Sequence, residues 1–237
     1  MNKRDFIKKG VLGLIGVGAA LQLKSNGLSQ AVASSSKIQF VPFSSESFLH
    51  LFSEVSFLLH YKQHYQESFQ QTQGLLKSVS FAPTSLRQLF ISPSQYNQKL
   101  VEKASAYYNH KLFFKQLSRH KNISGHLKIN SQIESQFGSK EILFKIFLET
   151  FSSMHADGWL WLVQSEGKLK VVTTRENDNP FLTSLPLNKQ GFPLIAIDCW
   201  EHNWQADYST KELYLQAVWN NLNWNFIDKR LVKSLSV

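Results

Sequence analysis

Five side chains stand out as groups that bind a metal ion or move a proton. His60 and His64 lie four residues apart in a helical pattern, so both point to one face. His110 follows Asn109 in a second helical stretch. Asp198-Cys199-Trp200-Glu201-His202 then sets a carboxylate and an imidazole four residues apart, where a predicted strand ends. Cys199 is the only cysteine, so a multi-cysteine zinc site and an intrachain disulfide framework are both excluded. Singly, each candidate has an ordinary alternative. A helix histidine packs or faces solvent, and an aspartate at a strand end commonly caps a turn.

Two kinds of sequence must position these groups. From residue 44 to about 118 the pattern is helical, with Phe48, Leu51, Phe52, Val55, Leu58 and Leu59 recurring at three-to-four spacing. Breaks at Ala82-Pro83 and Ser92-Pro93 separate two long helices. A polar connection at 120–125 marks a boundary between an all-α hairpin domain, 34–122, and an α+β domain, 123–237. Beyond it, 129–137 and 140–154 read as helices. Residues 159–164, 169–174 and 194–198 are rich in β-branched and aromatic residues and read as strands, and from 211 the chain returns to helix. The expected fold is α+β: an N-terminal α-helical hairpin followed by an α/β domain with a three-stranded antiparallel sheet.

The first 33 residues read as an address. Lys3, Arg4, Lys8 and Lys9 precede a 14-residue uncharged apolar run, 10–23, and Ala31-Val32-Ala33 supplies a small-x-small cleavage pattern. That run is short for a membrane span, which needs roughly 20 residues. Asn2-Lys3-Arg4-Asp5-Phe6-Ile7-Lys8 resembles a twin-arginine export signal with Lys3 in the first arginine's place. The expectation is export, to a bacterial periplasm, with cleavage near Ala33 and no stable membrane association afterwards. Cleavage removes five basic residues and one aspartate, taking the net charge from +9 to +5. No Lys/Arg block remains that would suit nucleic acid.

Taken together, the motifs carry a family likeness. His60-Tyr61-Lys62-Gln63-His64, Asn109-His110-Lys111-Leu112-Phe113-Phe114, Gly158-Trp159-Leu160-Trp161-Leu162-Val163 and Asp198-Cys199-Trp200-Glu201-His202 resemble the iron/manganese superoxide dismutase family, as does Ala217-Val218-Trp219-Asn220-Asn221-Leu222-Asn223-Trp224. The resemblance implies that His60, His110, Asp198 and His202 hold one iron or manganese ion per chain, a nitrogen and oxygen set suited to those metals. It implies superoxide as substrate, disproportionated to oxygen and hydrogen peroxide by an ion cycling between +2 and +3. Trp159, Trp161 and Trp200 match the family's aromatic cage, with Phe114 in place of a further tryptophan. Glu201 matches a residue that reaches a partner's ligand histidine, which implies a homodimer.

The chain also departs from that pattern. His64 matches the gateway histidine, but the tyrosine four residues on is Ser68, which predicts a wider and wetter funnel. The amide that hydrogen-bonds metal-bound solvent comes from one of two places in the family. Here those positions hold Ala106 and Asn177, one methylene shorter than glutamine. Gln205 stands where the interface tyrosine is expected. Together these departures define an alternative: a non-enzymatic or weakly active metal-binding homologue that keeps the ligands with an altered surround. A mononuclear metal enzyme acting on a larger substrate is a third. Cys199 should point opposite to Asp198 and serve as buried filler.

Overall fold

In the described residues, 38–118 and 127–236 of a computed structural model, the helical half opens later than periodicity suggests. Residues 45–47 form a short 3₁₀ turn, and α1 (Glu54–Leu59) starts only after Ser53, whose side chain accepts from the Ser56 N–H. The apolar spacing of Phe48, Leu51 and Phe52 serves packing instead of helix, since all three are buried in a turn. The C-terminal half holds that turn. Tyr208 donates its hydroxyl to the Leu51 carbonyl, and the Ser53 N–H donates to Asp207 at 3.0 Å. The expected export signal and the 120–125 connection lie outside the described residues.

The first long helix is not uniform. Between α1 and α2 (Glu67–Leu76), residues His60–Gln66 form a π-helix. After the short α3 (Leu86–Ile91) comes α4 (Gln98–Lys115), capped by Asn97, whose side chain accepts from the Lys99 N–H at 2.8 Å. A knot of rings joins α1, the π segment and α4. Phe114 is 1% exposed and lies within 5.1–5.8 Å of Phe43, Phe48, Phe57, Tyr65 and His60.

The second half supplies α5 (Lys128–Phe137), α6 (Lys140–Ser153), β1 (Gly158–Ser165), β2 (Lys168–Arg175), β3 (Phe192–Asp198), the one-turn α7 (Glu201–Trp204), α8 (Lys211–Asn220) and α9 (Trp224–Ser234). The fold is α+β as expected, with a three-stranded antiparallel sheet in the order β2-β1-β3. Glu166 and Gly167 both have positive φ, 52° and 76°, which suits a two-residue hairpin whose twist matches its strands. β1 is buried on both faces for seven of its eight residues, as a central strand should be. Its first residue must be glycine, because a Cβ there would overlap the Thr174 carbonyl oxygen across the hairpin.

One side chain just past α4 pairs with an outer strand of the sheet. Gln116, just past α4, donates its amide N–H to the Ala196 carbonyl and accepts from the Ala196 N–H at 2.9 Å. Further along β3, Arg230 of α9 donates to the Pro193 carbonyl at 2.8 Å. These contacts fix the end of β3, and so Asp198, against α4. Register then pairs Asp198 with Trp159 of β1. Among the described residues no helix is long and apolar enough to cross a membrane.

Candidate metal centre

Three of the five side chains converge. His60 opens the π segment, His110 lies on α4 and Asp198 ends β3, and each is at most 4% exposed. His60 Nε2 is 3.1 Å from Asp198 Oδ2, and His110 Nε2 is 3.6 Å from the same oxygen. One ligand atom from each residue lies within 4.8 Å of the other two.

The backbone aims these atoms. His110 Nδ1 lies 2.7 Å from the Ala106 carbonyl one turn earlier, so it carries the proton and leaves Nε2 with a lone pair facing the site. Ala106, too small to supply an amide itself, thus contributes its main chain. Asp198 Oδ1 accepts from the Trp200 N–H at 3.0 Å, which turns Oδ2 toward the two imidazoles.

Electrostatics favour a cation at this point. Burial drives the His60 pKa well below the ordinary histidine value, with His64 adding to the shift. His110 is lowered for the same first reason, with His60 next, against an opposing pull from Asp198. Both rings are therefore neutral at pH 7. Burial raises the Asp198 pKa, opposed chiefly by His110 and His202. His60 Nε2 and Asp198 Oδ2 stand at ion-pair distance, yet neither has a hydrogen-bond partner, although both are shut away from solvent. Buried polar atoms are rarely left so. Two neutral imidazoles and an unsatisfied carboxylate oxygen fit a transition-metal ion, which would satisfy all three at once.

The fourth family ligand stands apart from this trio. His202 lies in the first turn of α7, stacked on His64 with ring centroids 4.3 Å apart and planes 20° apart. Its centroid is 6.4 Å from that of His60, and the residue is exposed. Contact with His64, and with Trp200 at 5.4 Å, still strips enough water to bring its pKa down to about 4. His64 is half-buried, with its ring nearly parallel to that of His110 at 5.8 Å. The order from the inside outward is therefore the buried trio, then the His64–His202 stack.

The altered surround differs from expectation in two places. Ser68 is buried and donates its hydroxyl to the Tyr65 carbonyl at 2.9 Å, so it adds no wet hydroxyl to the approach. A serine in a helix that finds no outward partner commonly bonds back to its own turn. Asn177 has its main-chain carbonyl drawn toward α4, where Asn109 donates to it at 3.0 Å. The residue lines a cleft of about 440 Å³ with Ser105, Glu176 and Asp178, and its amide reaches neither His60 Nε2 nor Asp198 Oδ2.

The aromatic wall is present. Trp159 meets His110 edge-on at 5.0 Å, and Trp161 packs on Trp159 at 5.7 Å while donating its Nε1–H to Thr174 Oγ1 at 2.9 Å. Phe113, whose place in a helical apolar run marks it only as core, closes on His60 at 5.6 Å. Cys199 is buried and its thiol pKa is pushed well above normal by burial, in keeping with inert filler. Glu201 is exposed, and its N–H donates to Asp157 at 3.3 Å.

Comparison with known proteins follows the same lines. Residues 125–230 match the family model for iron/manganese superoxide dismutases, C-terminal domain. A superoxide dismutase [Mn] from Buchnera aphidicola subsp. Acyrthosiphon pisum is 30% identical over 201 residues, covering 81% of this chain and 97% of the relative. Superoxide dismutase [Mn] from Haemophilus ducreyi is 29% identical over 76% of this chain and 86% of its own length. The protein of that name from Escherichia coli K12 is 28% identical over 78% and 92%.

Proposed function

We propose that this chain, which belongs to the iron/manganese superoxide dismutase family, disproportionates superoxide at one iron or manganese ion. The observation that carries this reading is the buried meeting of His60 Nε2, His110 Nε2 and Asp198 Oδ2, two of them without any hydrogen-bond partner. These three residues would hold the ion, with His202 next to them supplying the family's fourth ligand. When bound, the ion supplies one-electron redox chemistry between its +2 and +3 states.

The chain's own residues do the rest. Ala106 and Trp200 hold His110 and Asp198 in the orientation and charge state that bind a cation. The rings of Trp159, Phe113 and Phe114 exclude water from the buried side and strengthen every electrostatic contact there. His64 and His202 stack over the outer side of the trio, on the approach to it. Burial lowers the pKa of both, so neither ring is charged at pH 7 in the metal-free protein.

The alternative, a metal-binding homologue with little turnover, draws support from Ser68 and Asn177, since neither directs a polar group at the trio. Dismutation assays on protein of known metal content separate the two readings. Activity proportional to bound manganese or iron and well above that of the free ion supports the enzyme. Stoichiometric metal without that activity supports the homologue. Asp198→Ala and His110→Ala should abolish metal retention, whereas the exposed His155→Ala should not. The reading extends to export through residues 1–33 and to a homodimer built around Glu201. Periplasmic fractionation and light scattering test those two points.

A further inference from the structure

We propose that Tyr214, through Asn203, is a positioning residue that sets the relation between the two C-terminal metal ligands. Tyr214 lies on α8 and is fully buried. Its hydroxyl donates to the Asp198 main-chain carbonyl at 2.8 Å and accepts from Asn203 Nδ2 at the same distance. Asn203 is 3% exposed and directly follows His202. One phenol thus joins the residue that ends β3 to the helix that carries His202. Asp198 and His202 are separated by three residues, and α7 spans a single turn, too short to hold its own orientation by helix hydrogen bonds.

The geometry is that of an outer tie on a ligand pair. The Asp198 side chain is steered by the Trp200 N–H, its main chain by Tyr214, and its strand register by pairing with Trp159. The Asn203 amide anchors the helix that carries His202 to the strand end, beside the Glu201 N–H bond to Asp157. The ring of Tyr214 packs between Phe151 at 6.1 Å and Tyr208 at 5.6 Å, and these contacts persist in phenylalanine. Tyr214→Phe therefore removes the tie and keeps the filling.

This inference rests on the metal reading above. The test is chelator competition for Mn(II) on the full chain, comparing wild type, Tyr214→Phe and Asn203→Leu, each with its metal-free melting curve. Outer partners of metal ligands typically govern affinity by about 10–100-fold, and both variants should lose Mn(II) affinity by that amount. The double variant should lose no more than the single variant with the larger loss, because both act through one tie. In a His202→Ala background, Asn203→Leu should cost nothing further, an outcome that a merely structural role would not produce. Wild-type affinity in both single variants overturns the inference alone, as does an undiminished Asn203→Leu loss in the His202→Ala background. Failure of the wild type to bind Mn(II) overturns the metal reading itself. Should Tyr214→Phe not fold, Asn203→Leu and its His202→Ala cycle decide the matter.

Discussion

Asp198→Asn should make the metal-free protein more stable while destroying its metal site. The Asp198 carboxylate is fully buried, its Oδ2 has no hydrogen-bond partner, and burial raises its pKa. Leaving such a group unsatisfied costs about 1–3 kcal/mol. Asparagine keeps the Trp200 N–H bond to Oδ1 and removes the charge. Its amide can also donate to His60 Nε2, now 3.1 Å from Oδ2. The expected gain at pH 7 is about 1–3 kcal/mol, or roughly 3–9 °C in Tm for a chain of this size. The sign with pH follows from the raised pKa. The unfolded carboxylate titrates near ~3.9, so the folded metal-free wild type keeps its proton to higher pH and loses stability as pH rises through that window. The variant cannot titrate there. Its advantage should therefore grow from pH 4 upward and level off above the folded-state pKa, the histidine contributions being common to both proteins. Thermal and urea unfolding of metal-stripped protein across pH 4–8 measures this, with metal content checked separately. A variant that melts at or below the wild type at pH 7, or an advantage that does not shrink on acidification, would show that Asp198 is not an unpaired buried charge.

Phe114→Ala removes a ring packed against six aromatic side chains and His60, and should cost about 3–5 kcal/mol in urea unfolding; under ~1.5 kcal/mol would mean that the ring knot collapses to fill the space. Gly158→Ala drives a methyl into the Thr174 carbonyl and should cost about 1–3 kcal/mol or more, so a variant as stable as wild type would contradict the β1–β2 register. The His202 ring in metal-free protein should titrate at about 4 by NMR, lowered by burial from an ordinary 6.5. Its contribution to folding is whole above pH 6.5 and fades as pH falls toward 4; titration near 6.5 would mean that the His64 stack does not persist in solution.

Residue pattern alone carried the α+β architecture, because strand and helix periodicities differ and the second half shows both plainly. The family likeness of the segments around His60, His110 and Asp198-Cys199-Trp200-Glu201-His202 points to four ligands, of which His60, His110 and Asp198 meet while His202 stands apart. The shortfalls have identifiable causes. Apolar spacing at Phe48, Leu51 and Phe52 is the same for a packed turn as for a helix, and only the Ser53 cap tells them apart. A π segment alters the phase of a helix without any marker residue, so the stripe bearing His60, His64 and Ser68 could not be placed by counting at 100° per residue. Side-chain length does not decide Ser68 and Asn177; competition from nearby backbone does, since the Tyr65 carbonyl takes one and Asn109 draws the chain around the other. Tyr214 gave no warning, since a tyrosine between two leucines in a helix reads as core.

The pairing of Gln116 with Ala196 reaches beyond the metal ligands. An outer strand with free amide and carbonyl groups is an open template, and a second chain can add to it in register. On β3 one position of that template is answered by a glutamine amide, which offers a donor and an acceptor as a neighbouring strand would. Another is blunted by a proline whose carbonyl is already taken by arginine. Strand-to-strand addition is thereby discouraged along this side of the sheet, because its backbone groups are already answered from within the chain.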